Sequence, residues 1–182
     1  MNDISRQSGF SMIEVLVTFL LITIGILGMV ALQGKTIAYT KDSSQRNTAA
    51  MLADDLFELI RANPDAILSA DGNLKASTGD YYKAKGSDFP SAPSSCATTP
   101  SSASQQLACW AQEASKLLPG ASDLLNSEFY VCRSTSPGPS GCGSAGSAIE
   151  IQLAWKVKSG ECLEETPSED TTICYYRLRS EP

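Results

Sequence analysis

The apolar residues of this chain are concentrated in one long run close to its start. Residues 10–32 form 23 consecutive positions in which Glu14 is the single charged residue. As a helix this stretch would extend about 34 Å at about 1.5 Å per residue, and a bilayer has a hydrocarbon core of about 30 Å. The pattern therefore predicts one membrane-spanning helix. Later apolar stretches are short and interrupted by polar residues, so they predict no second span.

Helical periodicity continues beyond the membrane segment. No proline occurs between Phe10 and Asn63, and Pro64 then ends the pattern, because proline disfavours helical geometry in the residue before it. We expect residues 33–63 to continue the helix and to pack an apolar stripe against a globular head formed by residues 64–182. The stripe consists of Ala49, Leu52, Leu56, Leu59 and Ile60. Three acidic residues beside it are expected to face solvent: Asp54, Asp55 and Glu58.

Three glycines weaken the helix where it leaves the membrane. Gly25, Gly28 and Gly34 each cost up to about 1 kcal/mol of helix stability relative to alanine. They favour either bending of the helix at this point or close packing against another helix in the bilayer. The sequence leaves both interpretations open.

The first part of the head changes from loop to helix. Residues 64–104 are rich in Gly, Ser, Pro and Asp, and this composition predicts a long loop. A second helix follows, capped by Ser102 or Ser104 and ended by Pro119. Its buried stripe is predicted to contain Leu107, Trp110, Ala111, Ala114 and Leu118.

Strand signals dominate the last third of the chain. Residues 129–133 and 171–179 are rich in residues that favour strands, and Ile149 to Val157 alternate apolar with polar positions. Short connections between successive strands predict an antiparallel sheet. The predicted fold class is therefore α+β, with a long amino-terminal helical spine and a carboxy-terminal antiparallel sheet.

All six cysteines lie after the membrane segment. An even number of cysteines indicates three disulfides and an oxidising, extracytoplasmic compartment. Six cysteines allow 15 pairings, and we expect bonds between sequence neighbours, each closing a short loop. These pairs are Cys96 with Cys109, Cys132 with Cys142, and Cys162 with Cys174.

Composition argues against several kinds of function. The chain has 14 basic and 20 acidic residues and a net charge of −6, which disfavours nucleic-acid binding. It contains no histidine, so histidine-dependent nucleophilic catalysis is excluded, and without a C-x-x-C pair the cysteines do not suggest a metal. Trp110 and Trp155 are expected to be core residues rather than a ligand platform. We expect no enzymatic activity, no metal and no cofactor.

The residues at the start of the apolar run form a specific motif. A short polar leader, residues 1–9, ends in Gly9 and is followed by Phe10, a few apolar residues and Glu14. This arrangement resembles the amino terminus of type IV pilin precursors, or prepilins. In that family a prepilin peptidase cuts after the glycine and methylates the new amino-terminal residue, which the resemblance places at Phe10. Residues 10–32 would then form the membrane segment of the mature chain.

The resemblance gives Glu14 a partner. A carboxylate within a bilayer costs about 2.5 to 3.5 kcal/mol on insertion scales, so it normally has a compensating charge. In the family, the glutamate of one subunit pairs with the new amino-terminal amine of its neighbour, here Phe10, when the helices form a bundle. The alternative is a plain membrane anchor whose Glu14 is solvated near the cytoplasmic interface.

The layout of the head, together with its segment CWAQEASKLLPGA, resembles the minor pilins of the PilV type. The resemblance implies a structural protein that joins other minor pilins, initiates pilus assembly and stays at the tip of the filament. Its expected partners are the major pilin, the prepilin peptidase, the assembly platform and a large tip adhesin. The expected location is the inner membrane, with a cytoplasmic amino terminus and a periplasmic head, and afterwards the pilus.

Two other functions fit the same sequence. A minor pseudopilin of a type II secretion system would share the leader, Glu14 and the long helix. A membrane-anchored periplasmic enzyme or receptor would instead need a concave pocket with convergent polar groups.

Overall fold

The computed structural model describes residues 9–76, 80–163 and 170–181. The chain divides into two compact units between Thr40 and Lys41. Most of the expected leader, residues 1–8, lies outside the described residues.

Helix α1, Met12–Ala62, runs through both units. It begins after Ser11, whose carbonyl oxygen accepts the first two helical hydrogen bonds, from the Glu14 and Val15 amides at 3.0 and 3.3 Å. It ends immediately before Asn63, and Pro64 opens the short helix α2, Pro64–Ile67. Proline at the first helical position is well tolerated, because its missing N–H would have no helical partner there. The predicted end of the long helix is therefore confirmed within one residue.

In the second unit, the predicted apolar stripe of α1 is buried in the core, although Leu59 is only half-buried. Ala53 and Phe57 are buried as well, so the buried face of the helix is wider than the stripe predicts. The three acidic residues expected in solvent are exposed: Asp54, Asp55 and Glu58.

Helix α3, Ala103–Leu117, packs across this face, followed by the short helix α4, Ala121–Leu124. The indole N–H of Trp110 donates to the backbone carbonyl of Leu52 at 2.7 Å. All five residues of the predicted α3 stripe are buried. Ser102 occupies the N-cap position, but its side chain makes no cap hydrogen bond. Its hydroxyl contacts that of Ser104 at 2.9 Å instead, so the predicted side-chain cap is wrong.

Among the described residues, four antiparallel strands form one sheet in the order β2-β1-β3-β4. The strands are β1 (Tyr130–Ser134), β2 (Cys142–Gly143), β3 (Ala148–Lys156) and β4 (Ile173–Ser180). Three of them lie within two residues of their predicted bounds. Strand β2 was not predicted, because its two residues are too few to show any periodicity.

Strand β3 is buried on both faces, although its alternating pattern is typical of a strand with one solvated face. Ile151 and Trp155 point into the core, and Glu150 on the opposite face has no exposed surface either. The Glu150 carboxylate accepts hydrogen bonds from the Tyr130 hydroxyl at 2.5 Å, the Ser134 hydroxyl at 3.0 Å and the Gly138 amide at 2.8 Å. Three donors satisfy a carboxylate that would otherwise be costly to bury.

The loop between β1 and β2 covers this polar face of the sheet. A short 3₁₀ helix, Pro139–Gly141, lies within it, and Gly138 adopts a positive φ of 95°. Gly141 has no space for a side chain, because a Cβ there would lie 1.8 Å from the Ser136 carbonyl oxygen. The loop therefore depends on glycine at residue 141 for the close contact between its own two arms.

Three disulfides tie the head together, and they join the same sequence neighbours that the sequence analysis paired. They are Cys96–Cys109, Cys132–Cys142 and Cys162–Cys174. The first attaches the serine- and proline-rich loop to α3, the second closes the loop over Glu150, and the third connects β4 to the segment that follows β3. Loop closures of 10 to 13 residues are worth about 3 kcal/mol each in the chain-entropy model.

Candidate site of processing and assembly

The peptide bond between Gly9 and Phe10 lies in non-helical backbone immediately before α1. The Phe10 side chain is 83% exposed, and a Cβ added to Gly9 would meet nothing within 4 Å. Exposed, irregular backbone close to a chain terminus is the typical substrate of a peptidase. Phe10 and Ser11 lie between this bond and the first helical residue, Met12, so cleavage after Gly9 would leave α1 intact.

Glu14 lies in the first turn of α1 and is exposed. A carboxylate close to a helix amino terminus gains about 0.3 to 1 kcal/mol from the helix dipole in water. That gain is smaller than the cost of about 2.5 to 3.5 kcal/mol for a carboxylate within a bilayer. The Glu14 carboxylate makes no hydrogen bond or ion pair with any residue that the structure describes. Within a bilayer, the Glu14 carboxylate would therefore need a compensating charge from outside the described residues.

The residues that follow Glu14 present a continuous apolar surface. Large side chains such as Phe19 and Leu27 are exposed along this part of α1. Within the described residues, α1 is the helix that is long and apolar enough to cross a membrane. Four threonine hydroxyls in the first unit donate to backbone carbonyls three or four residues earlier, and so need no water: Thr18, Thr23, Thr36 and Thr40. The surface is suited to lipid or to another apolar helix.

The glycines of α1 are not required by packing within the chain. A Cβ at Gly25, Gly28 or Gly34 would meet nothing within 4 Å. Helix α1 also passes through all three positions without interruption. Close approach of a second helix remains one of the two uses that the sequence suggested.

Asp42, a residue that the sequence analysis missed, fixes the head to α1. Its side chain is 1% exposed and accepts hydrogen bonds from the Trp155 indole N–H at 3.2 Å, the Leu163 amide at 2.9 Å and the Arg46 Nε at 3.1 Å. The Arg46 guanidinium also lies over the Trp155 ring at 5.6 Å. Asp42 stands in a polar stretch of sequence, KDSSQRN, which looks solvated, so no local signal marks its burial.

Two comparisons with known families match adjacent parts of the chain. Residues 4–30 match the prokaryotic N-terminal methylation motif, and residues 31–113 match a family described as type IV pilin Tt1218. Searches of curated proteins and of solved structures found no match. Each family match spans less than half of the chain, and the two adjoin at residue 30.

The architecture is the α+β fold of a type IV pilin, with a long amino-terminal helix, a four-stranded antiparallel sheet and disulfides in the head. Together with the methylation motif it supports a type IV pilin-like protein. A protein of this class is structural, associates with other pilins and is a substrate of the prepilin peptidase. The long apolar helix fits a membrane-anchored pilin.

Proposed function

We propose that the chain is a minor pilin of a type IV pilus, of the PilV type. It enters the inner membrane as a prepilin, is cleaved after Gly9 and is methylated at Phe10. It then joins the other minor pilins in the complex that initiates assembly and remains at the tip of the pilus. The methylation motif spans the cleavage position on both sides, which supports this processing.

The observation that carries the proposal is the uncompensated carboxylate of Glu14. It stands at the start of an apolar helix and has no partner among the described residues, although its environment in a bilayer demands one. Cleavage after Gly9 creates a cationic amine at Phe10. The amine of a neighbouring subunit, brought alongside in a helical bundle, supplies the charge that Glu14 lacks. Processing is thus the chemical condition for assembly.

The head supports an extracytoplasmic location in this scheme. It has three disulfides, and disulfides form and persist mainly where thiols are oxidised, as in the periplasm or outside the cell. Each segment has a defined part: residues 1–9 are the leader, 10–32 the membrane helix, 33–63 its continuation and 64–182 the head. The major pilin, the assembly platform and a tip adhesin complete the proposed partners.

Replacement of Gly9 by valine tests the processing step. The structure has open space around Gly9, so the variant should fold normally and insert into the membrane. It should accumulate as the heavier precursor on a gel, with no methylated Phe10 detected by mass spectrometry. Native protein that keeps Met1 throughout would contradict the proposal.

Deletion of the gene separates the pilus from the secretion system. A minor pilin predicts loss of surface pili and of twitching motility, with exoprotein secretion unchanged. A defect in secretion alone would instead identify a minor pseudopilin. Normal pili together with normal secretion would contradict both and favour an anchored enzyme or receptor.

A further inference from the structure

A groove of about 920 Å³ lies between α1 and α3 in the second unit. The α1 wall presents Asp55, Glu58, Leu59 and Ala62, which are spaced i, i+3, i+4 and i+7 on one face of the helix. The α3 wall is also a single helix face, and it extends from Gln106 to Leu117. Two helix faces that diverge around a cleft can receive a third helix.

Apolar side chains contribute part of the groove's lining. Leu59 is half-buried, and Trp110, which is buried, lines the same cleft. Leu117 is 52% exposed, an unusually open position for a leucine that borders a cleft. These side chains offer apolar surface that a partner could cover.

The third wall is a loop, residues 96–100, which is held against α3 at two points. The Cys96–Cys109 disulfide attaches its beginning, and the Gln106 amide donates to the Pro100 carbonyl at 2.6 Å. Gln106 is itself fixed, because its carbonyl oxygen accepts from the Tyr81 hydroxyl. The groove is therefore formed before any partner arrives, which lowers the entropic cost of binding.

The rim of the groove carries an excess of negative charge. Asp55 on α1 and Glu113 on α3 are exposed, and neither carboxylate makes a hydrogen bond or ion pair within the described parts of the chain. Glu58 pairs with Arg61 at 2.9 Å, and Lys116 is the basic residue of the lining. A second copy of this chain, with a net charge of −6, would be repelled on approach. A cationic partner would be attracted.

We propose that this groove binds an amphipathic helical segment of another protein, with an apolar stripe flanked by lysine or arginine. The apolar stripe covers Leu59 and Leu117, and the flanking cations face Asp55 and Glu113. The inference is independent of the pilus assignment, because all residues of the groove lie in the second unit, outside the membrane segment and the processing motif.

Photocrosslinking of the full chain in cells tests whether the groove binds such a helix. Leu117 is replaced by p-benzoylphenylalanine, and Leu163, which is 47% exposed, serves as the matched control. Leu163 is held at Asp42, 13 residues and so about 20 Å along α1 from Asp55. The Leu117 probe should form an adduct that the Leu163 probe does not. After digestion with Glu-C, the adduct should contain a segment with apolar residues at i, i+3 and i+4 and adjacent Lys or Arg.

A second experiment reverses the charge of two acidic residues on the rim of the groove and measures the same crosslink. The double variant D55K/E113K should reduce the Leu117 adduct at least about tenfold, whereas D54K/D71K, which alters exposed acids outside the groove by the same total charge, should leave it unchanged. The proposal is overturned by an absent adduct, by an adduct with a second copy of the chain or with an uncharged or acidic segment, and by equal loss in both variants.

Discussion

Two carboxylates on helix α1, those of Glu14 and Asp42, have opposite environments. Glu14 is exposed in the first unit and has no partner among the described residues, whereas Asp42 in the second unit is buried and accepts three hydrogen bonds. The free-energy cost of taking either carboxylate out of water is offset only by hydrogen-bond donors or positive charges nearby. Asp42 receives them from within the chain. In the proposed assembly, Glu14 receives them from another subunit.

Substitution of Glu14 by alanine should therefore impair assembly and leave cleavage intact. The scissile bond lies four residues away in non-helical backbone, so processing should proceed. In the bundle, the amine of the neighbouring Phe10 would lose its partner, and a buried pair broken in this way costs about 3 to 5 kcal/mol. Protein in the sheared pilus fraction should fall more than about a hundredfold relative to protein in the membrane.

Two variants refine this test. Glu14→Gln keeps the size of the side chain and removes its charge, so it should behave like the alanine variant. Glu14→Asp keeps the charge and should retain part of the incorporation. Normal incorporation of the alanine variant would show that charge pairing is not needed.

Asp42→Ala should destabilise the head. It leaves the Trp155 N–H and the Leu163 amide without an acceptor, and each unsatisfied buried donor costs about 1 to 3 kcal/mol. We expect the free energy of unfolding to fall by about 3 kcal/mol, measured by urea titration of the full chain in detergent micelles. Asp54→Ala, an exposed acid on the same helix, should change it by less than about 0.5 kcal/mol. Equal effects of the two variants would argue against the anchoring role.

At the scale of elements, the loop between β1 and β2 is held by one disulfide and one buried carboxylate. The Cys132–Cys142 bond closes it, and Glu150 accepts the Gly138 amide from its centre. Burial and the adjacent Glu150 carboxylate raise the pKa of Tyr130, so its hydroxyl stays protonated and donates at all moderate pH values. The loop and the sheet face thus form one hydrogen-bonded layer.

Replacement of Glu150 by alanine should release this loop while the disulfide keeps its ends together. The Gly138 amide, without its acceptor, should exchange with solvent about tenfold faster or more, as measured by hydrogen exchange and mass spectrometry. Amides of α3 should be unaffected. Glu113→Ala serves as the control, because that residue is exposed and makes no contact with the loop. Unchanged exchange at Gly138 would show that the disulfide alone holds the loop.

At the scale of the whole molecule, a buried lysine gives the stability an unusual dependence on pH. Lys83 is 3% exposed, its ammonium donates to the carbonyls of Asn126 and Phe129 at 2.8 Å, and it lies over the Phe89 ring. Burial lowers the pKa of Lys83 to about 8, against the opposing effect of the Asp88 and Glu128 carboxylates. The native state therefore releases this proton more readily than the unfolded chain does.

The sign of the effect follows from linkage. Because the pKa of Lys83 is lower in the native state, its contribution to stability is complete above about pH 10.5 and is lost as the pH falls through about 8. Two tyrosines act in the opposite direction above pH 10: burial raises the pKa of Tyr175 to about 12, and the pKa of Tyr130 is raised too. Their contribution is present below about pH 10 and is lost above it.

Unfolding in urea at a series of pH values checks this prediction. The free energy of unfolding should rise from pH 8 towards pH 10, by up to about 3 kcal/mol from Lys83 alone, and then fall as the unfolded tyrosines ionise. Lys83→Met should abolish the rise. A free energy of unfolding that falls steadily from pH 8 to pH 10 in the native chain would contradict it.

Local sequence by itself determined the elements and much of the chemistry of the amino terminus. The apolar run, the proline at residue 64 and the stripe of α3 act over a few residues, so their periodicity sets where each helix lies and which face is buried. The motif from Gly9 to Glu14 is likewise contained within six residues. Strand alternation located β3, and sequence separation suggested the disulfide partners.

Tertiary structure alone decided which polar residues are buried. Asp42 meets Trp155 across 113 residues, Glu150 meets Tyr130 across 20, and Lys83 meets Phe129 across 46. The groove beside Leu117 is formed by α1, α3 and the loop before α3, which a disulfide attaches to that helix. These buried polar groups are stable because hydrogen-bond partners on other elements lie next to them. A local sequence pattern does not show which distant residues will be those partners.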